Sequence, residues 1–317
     1  MKRTIQIIVL FCLSLWSVNV TAQQMVLSSQ YMVNSFAINP AAAGTKTYAP
    51  LVLDVRRQWA GIREAPVAQH LSYHTNITSK LGVGGYLFND VAGPSRRTGF
   101  MGALSTQVAI NRDAYLSLGL AVSLSQYVLD REKLITEEPN DITVDNYTSN
   151  LLIPDISGGL KLYAENYHLG FAVFNVLQTK MDLFDISTPV TNSLQRTMYL
   201  TGSYIIPLNS KESLFLEPSA VGRIMFNAPF QFDVNLRLAH EMGIWGAVSY
   251  RFKDAIALII GYSNDYFGVS YSYDINNSPL RAYNSGSHEI TLTLKGKNKS
   301  GGGFGGSKFR VINCPSF

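Results

Sequence analysis

Five histidines, His70, His74, His168, His240 and His288, are the side chains in this sequence best suited to acid–base or metal chemistry. His70 and His74 have the same strand parity, so on a strand both would project from one face. An imidazole metal site needs a third ligand, and neither a third ligand nor a cysteine stands beside them. His240 and Asp233 imitate part of a hydrolase triad, but no serine stands at a matching site. The chain has no Gly-x-Ser-x-Gly elbow, P-loop or His-Glu-x-x-His motif. The glycines of "GVGGYLFND" lie inside a predicted strand, where they relieve crowding or mark a bend. Arg56, Arg57 and Trp59 beside Gly61 offer either a cation–π binding spot or a lumen-facing arginine with an interfacial tryptophan. These residues point to no enzyme, no metal and no cofactor.

The elements that would carry these side chains are strands. From Ala114 to Val128, leucine or valine takes the even positions from 116 to 124, and small or polar residues take the odd ones. "FQFDVNLRLAH" and "HEITLTLK" alternate in the same way, with a period of two and not of 3.6. A polar inner face would leave a soluble sandwich without a core, but it suits a barrel whose outer face meets lipid. The expected class is all-β, a transmembrane antiparallel β-barrel of about fourteen strands over residues 48–295. Strands are expected near 48–58, 67–75, 81–90, 97–111, 114–130, 150–163, 167–176, 194–206, 212–225, 229–240, 243–252, 254–263, 266–275 and 287–295. Short connections such as "NITSK" and "NRD" alternate with longer ones, including "AGIREAPV", "VAGPSR" and the segments 131–150 and 177–193. This is the outer-membrane pattern of periplasmic turns and outer loops. Tyr127, Tyr163, Tyr199, Tyr250 and Tyr262 near strand ends suit interfacial girdles.

Composition agrees with a membrane setting: 46% of the 317 residues are apolar and only 15% are charged, with a formal charge of +4. No basic stripe suggests nucleic acid. Residues 1–22 read as a signal peptide, with Lys2 and Arg3 ahead of an apolar run and small residues before a cleavage site near Ala22. Cys12 lies inside that run, so removal of the leader leaves Cys314 alone, without an intrachain partner. Residues 23–47 have helical spacing at Tyr31, Met32, Ser35 and Phe36 and stop at Asn39-Pro40, which predicts a short helix or plug at the lumen mouth. Residues 296–317 read as a glycine-rich linker and a periplasmic tail apolar enough to dock on something.

"QYMVNSFAINPAAAG", "RRQWAGI", "GVGGYLFNDVAGPSRRTGF" and the final "SHEITLTL" together resemble the PorP/SprF family of Bacteroidota, outer-membrane components of the type IX secretion system, along the whole mature chain. Its most specific pieces here are Asn39-Pro40-Ala41, Arg57-Gln58-Trp59-x-Gly61, and Asn89-Asp90 followed by Gly93-Pro94 and Arg97-Thr98. The tail "INCPSF" resembles the gliding-associated, SprF-like branch. The resemblance implies a non-enzymatic role beside ring and lipoprotein components of the machine. It also implies export or surface attachment of a large adhesin through a type B C-terminal domain.

On that topology the outer loops would grip cargo, with Glu137, Asp141, Asp145, Asp182 and Phe184 as contacts, while Cys314 and Phe317 would face periplasmic partners. A closed barrel has no edge to pair, so a monomer is expected. A core secretion component tied to the ring, and a generic channel or lipid transporter, remain the alternatives.

Overall fold

The computed structural model describes residues 28–130, 133, 149–181, 193–209, 213–226, 228–277 and 279–298. Fifteen strand segments form one antiparallel sheet. They are β1 (Tyr48–Arg57), β2 (Val67–Asn76), β3 (Leu81–Ala92), β4 (Ser95–Ala109), β5 (Ala114–Leu129), β6 (Ser149–Ala164), β7 (Tyr167–Phe174) and β8 (Thr197–Tyr204). β9 (Ile206–Pro207), β10 (Leu214–Met225), β11 (Gln231–His240), β12 (Ile244–Arg251), β13 (Ala255–Ser263), β14 (Phe267–Asn276) and β15 (Ser287–Lys297) follow. β8 and β9 both pair with β10 and are parted only by Ile205, so they share one position and the wall has fourteen. The sheet closes where β1 pairs with β15, from Tyr48 opposite Lys297 to Arg57 opposite His288. Closure leaves no backbone edge facing hydrocarbon, where unpaired amides would cost several kcal/mol each.

The two-residue period decides which side of the wall meets lipid. On β5, Leu120 and Val122 are 70% and 62% exposed, while Ser117 and Ala121 between their neighbours are buried. Ile256, Leu258 and Ile260 project outward from β13, and Ala257 and Ile259 point in. A belt of this extent is stable only against lipid.

The wall is uneven in height. β4, β5 and β6 run well past the belt, whereas β7, β12 and β13 are short. Above the outward Leu71, Leu87, Phe100 and Leu124 lies a polar row on the same face. There Asn89 donates to Gln69 (3.0 Å) and accepts from Arg96 (2.8 Å) and Thr98 (2.9 Å), and Gln126 donates to Asn150 (3.0 Å).

One end of the barrel carries short turns such as 110–113, 165–166 and 241–243; the other carries 58–66, 130–148, 175–196 and 277–286. Three expectations change here. "VAGPSR" is not a long loop: β3 and β4 stay paired to Ala92 opposite Ser95, because Gly93 takes the left-handed φ of 55° that a two-residue turn needs. Tyr163 and Tyr199 face the interior and are buried, so they belong to no girdle, while Tyr250 and Tyr262 do face outward. The inner face is also not uniformly polar. Tyr31, Met32 and Ile38 pack with Tyr199, Val221, Trp245 and Ile259, and Phe36, Ala42 and Ala43 pack with Met101, Ala103 and Ala121.

Candidate functional site

The interior is occupied by the residues that precede β1. In place of the expected helix, this stretch has two 3-10 turns, Ser35–Ala37 and Pro40–Ala42. Its turns bond six of its own amides, from Val33 to Thr45, to its own carbonyls, and the wall takes other backbone groups: the amides of Ser29, Gln30 and Gly44 and the carbonyls of Ala43 and Gly44. An α-helix would have internalised those groups and could not have bonded the strands so closely.

At its start, the chain is held by charges from four strands. Arg56 on β1 is buried and pairs with Asp274 of β14 and Glu289 of β15, each at 2.7 Å. Arg251 on β12 pairs with Asp233 of β11 at 3.0 Å and lies 3.7 Å from Asp274. Ser29 is the hub. Its hydroxyl donates to Asp274 (2.7 Å) and accepts from Arg56 (2.9 Å) and Arg251 (3.0 Å). Glu289 also accepts from the Ser29 amide (2.9 Å), the Gln30 amide (3.2 Å) and the Ser28 hydroxyl (2.5 Å). Two guanidiniums face three buried carboxylates and the more exposed Asp254, 3.3 Å from Arg251, and the amides of Ser29 and Gln30 add donors to Glu289. Buried charges of this kind are tolerated only when fully paired.

Further along, Asn39 accepts from the Ala41 amide (2.9 Å) and donates to the Leu160 carbonyl of β6 (3.0 Å). Pro40 sits at the first position of its turn, where a missing N–H costs nothing. The strand behind must come close, and glycines allow it: a Cβ at Gly119 would collide with the backbone of Ala41, and one at Gly159 with the Asn39 amide oxygen. Toward the short-turn end, Ser105 donates to the Ala43 carbonyl and Gln107 to that of Gly44, both at 2.7 Å. Tyr163 donates to Gln107 (3.0 Å), and His74 accepts the Gly44 amide (3.1 Å).

Above the occupied zone, toward the long loops, a cavity of about 80 Å³ is lined by His70, Tyr86, Asp90, Arg97, Asp155 and Phe174, among others. His70 bonds Asp90 at 3.0 Å, and the Arg97 guanidinium lies 5.1 Å from the centre of the Phe88 ring.

Sequence motifs thus fall into separate places. Asn39, Pro40 and Ala41 form the seat of the inner segment. Arg57, Gln58, Trp59 and Gly61 lie at the seam: the Trp59 amide donates to Ser287 (3.1 Å), the Ala60 amide donates to the Gly286 carbonyl (2.8 Å) and the Ser285 amide to the Ala60 carbonyl (2.7 Å), which ties the loops 58–66 and 277–286. Asn89 faces outward in the polar row, Asp90 and Arg97 face the cavity, and Gly93 and Pro94 make the turn. His70 and His74 share a face but serve different ends of the lumen, and Asp233 is committed to Arg251 while His240 is exposed. Glu137, Asp141, Asp145, Asp182, Phe184, Cys314 and Phe317, with the leader, lie outside the described residues. Sequence reasoning missed Ser29, Arg251, Asp274 and Glu289. Their signal was present, since charges at inward positions of a barrel strand require a partner.

The family model for type IX secretion system membrane protein PorP/SprF matches residues 20–294. No curated protein matches the chain. Among solved structures, a FadL homologue of Pseudomonas aeruginosa is 10% identical, with a TM-score of 0.48 over 88% of this chain and 96% of that one. The CymD monoaromatic hydrocarbon channel is 10% identical, with a TM-score of 0.46 over 87% and 94%. The Pseudomonas putida toluene transporter TodX is 10% identical, with a TM-score of 0.45 over 87% and 94%. These likenesses are in barrel shape and carry no statement about transport. The family model spans the inner segment and nearly the whole wall, and the chain belongs to the PorP/SprF family of type IX secretion system membrane proteins.

Proposed function

We propose that this protein is a non-enzymatic, SprF-like outer-membrane component that holds a large secreted adhesin at the cell surface through the adhesin's type B C-terminal domain. On this reading residues 1–22 are removed, the short-turn end and the C-terminus face the periplasmic ring and lipoprotein components, and the long loops face the cargo. The observation that carries it is the occupied lumen: residues 28–46 are bonded to the wall at their start, middle and end, through Ser29, Asn39 and Gly44, which suits an anchor and not a conduit for protein. The tall wall of β3 to β6, with its outward polar row, adds a rigid shelf beside the loops 130–148 and 175–196.

Gentle detergent extraction of the tagged protein from native membranes, followed by mass spectrometry, tests the reading. One large multi-repeat surface protein in near-equal amount is the expected result. Recovery of ring and lipoprotein components without such cargo would instead assign a core role in the machine. Recovery of the barrel alone, together with a stable ohmic conductance in planar bilayers, would refute the anchor in favour of a channel.

A further inference from the structure

At the short-turn end, on the opposite side of the rim from β4 and β5, lies a second cavity of about 330 Å³. Its apolar lining includes Phe215, Trp245 and Met242, and its rim carries Glu241 and Asp265. Met242 is 70% exposed, so it is accessible at the mouth of the cavity. Arg237, paired with Glu217, and His240 also line it, and Asp265 acts on the charge of Lys295, which leaves Glu241 as the lining acid without an ion pair among the described residues. Lys295 of β15 also lines the cavity, so the strand that forms one of its walls leads directly into the C-terminal tail. Asn298 is fixed at the rim, donating to the Lys46 carbonyl (2.8 Å) and accepting from Thr75 (3.0 Å).

We propose that this cavity is the docking site of the protein's own C-terminal segment, residues 308–317. "KFRVINCPSF" offers Phe309, Val311 and Ile312 to the apolar lining and Lys308 and Arg310 to the acidic rim, and no acidic side chain lies beyond Asn298. Residues 299–307 are mostly glycine and serine in sequence, and nine residues of that composition reach about 15–18 Å, enough for a cavity that begins at Lys295. Tethering over that length gives an effective concentration of about a millimolar, so even weak affinity fills the site. The docked tail covers this face of the barrel, and any partner that binds there competes with it. The inference goes beyond the anchor reading and does not depend on which side of the membrane the short turns face.

Cys314 is the only cysteine outside the leader, so it reports its own position. A disulfide requires Cα atoms within about 7 Å. In the purified full-length protein, M242C and H240C place a thiol on the cavity rim, and R112C places one on the turn across the barrel. Under mild oxidation, the bond to Cys314 is expected in at least one rim variant, roughly tenfold faster than in R112C, as the effective concentrations require. Adding K308E and R310E should remove the advantage. Peptide mapping by mass spectrometry identifies the bond. Equal rates at all three positions, no bond in either rim variant, or an advantage that survives the charge reversal would overturn the proposal.

Discussion

Ser29 illustrates how much a single small side chain can organise. Its hydroxyl bonds one carboxylate and two guanidiniums at once and so joins two sets of ion pairs, those of Arg56 and those of Arg251. S29A leaves the packing volume almost unchanged and removes three hydrogen bonds to charged groups. It should loosen the start of the inner segment at a cost of about 1–3 kcal/mol. E289Q strips the charge that balances Arg56 and should cost more, about 3–5 kcal/mol, as for other broken buried pairs. Both variants should still form barrels, and limited proteolysis of the purified protein checks the order: cleavage within residues 28–46 should be faster in E289Q than in S29A. At the seat, G119V would push Ala41 off the wall; the expected result is a larger conductance in planar bilayers than that of the unaltered protein. Unchanged bilayers would show that the segment can be reseated.

At the level of the strand, parity governs what a substitution does. Leu120 faces lipid near the middle of β5, so L120R should destabilise the folded barrel by about 2–4 kcal/mol, whereas V128R on the same face, beyond Gln126, should cost about 0–1 kcal/mol. Urea-dependent gel mobility in lipid vesicles measures both. Parity is also why the strands were so legible in the sequence: β5 is expected at 114–130 and is found at Ala114–Leu129, and the last strand is expected at 287–295 and found at Ser287–Lys297. The inner segment was less legible. Tyr31, Met32, Ser35 and Phe36 have helical spacing, but Tyr31 bonds Ser219, Ser35 accepts from Lys161 and Phe36 packs on His74, so tertiary contacts, not the periodic pattern, set the backbone. Trp59 likewise looked like a side-chain motif, yet its φ of 47° and its amide bond to Ser287 show a residue engaged through the main chain at the seam.

For the molecule as a whole, the two ends differ in kind. One presents long loops above a tall polar-faced wall, and the other presents tight turns around an open apolar cavity. Cutting the chain after Asn298 should therefore leave the barrel intact, with unchanged heat-modifiable gel mobility, and raise binding of a labelled 308–317 peptide several-fold by vacating the site. Charge pairing across the interior was the least visible property in the sequence, because Ser29, Arg56, Arg251, Asp274 and Glu289 are brought together only by closure. That closure bears on biogenesis. The first strand must meet the last, and the inner segment touches both sides of the junction: Ser29 bonds Arg56 of β1 on one side and Asp274 and Glu289 of β14 and β15 on the other. An open sheet can therefore hold its leading segment only by half, and the final strand completes the grip as it zips into place. The segment acts as a keystone, and a chain stalled before β15 would expose both its unsealed edge and its unheld start to the quality-control proteases of the envelope.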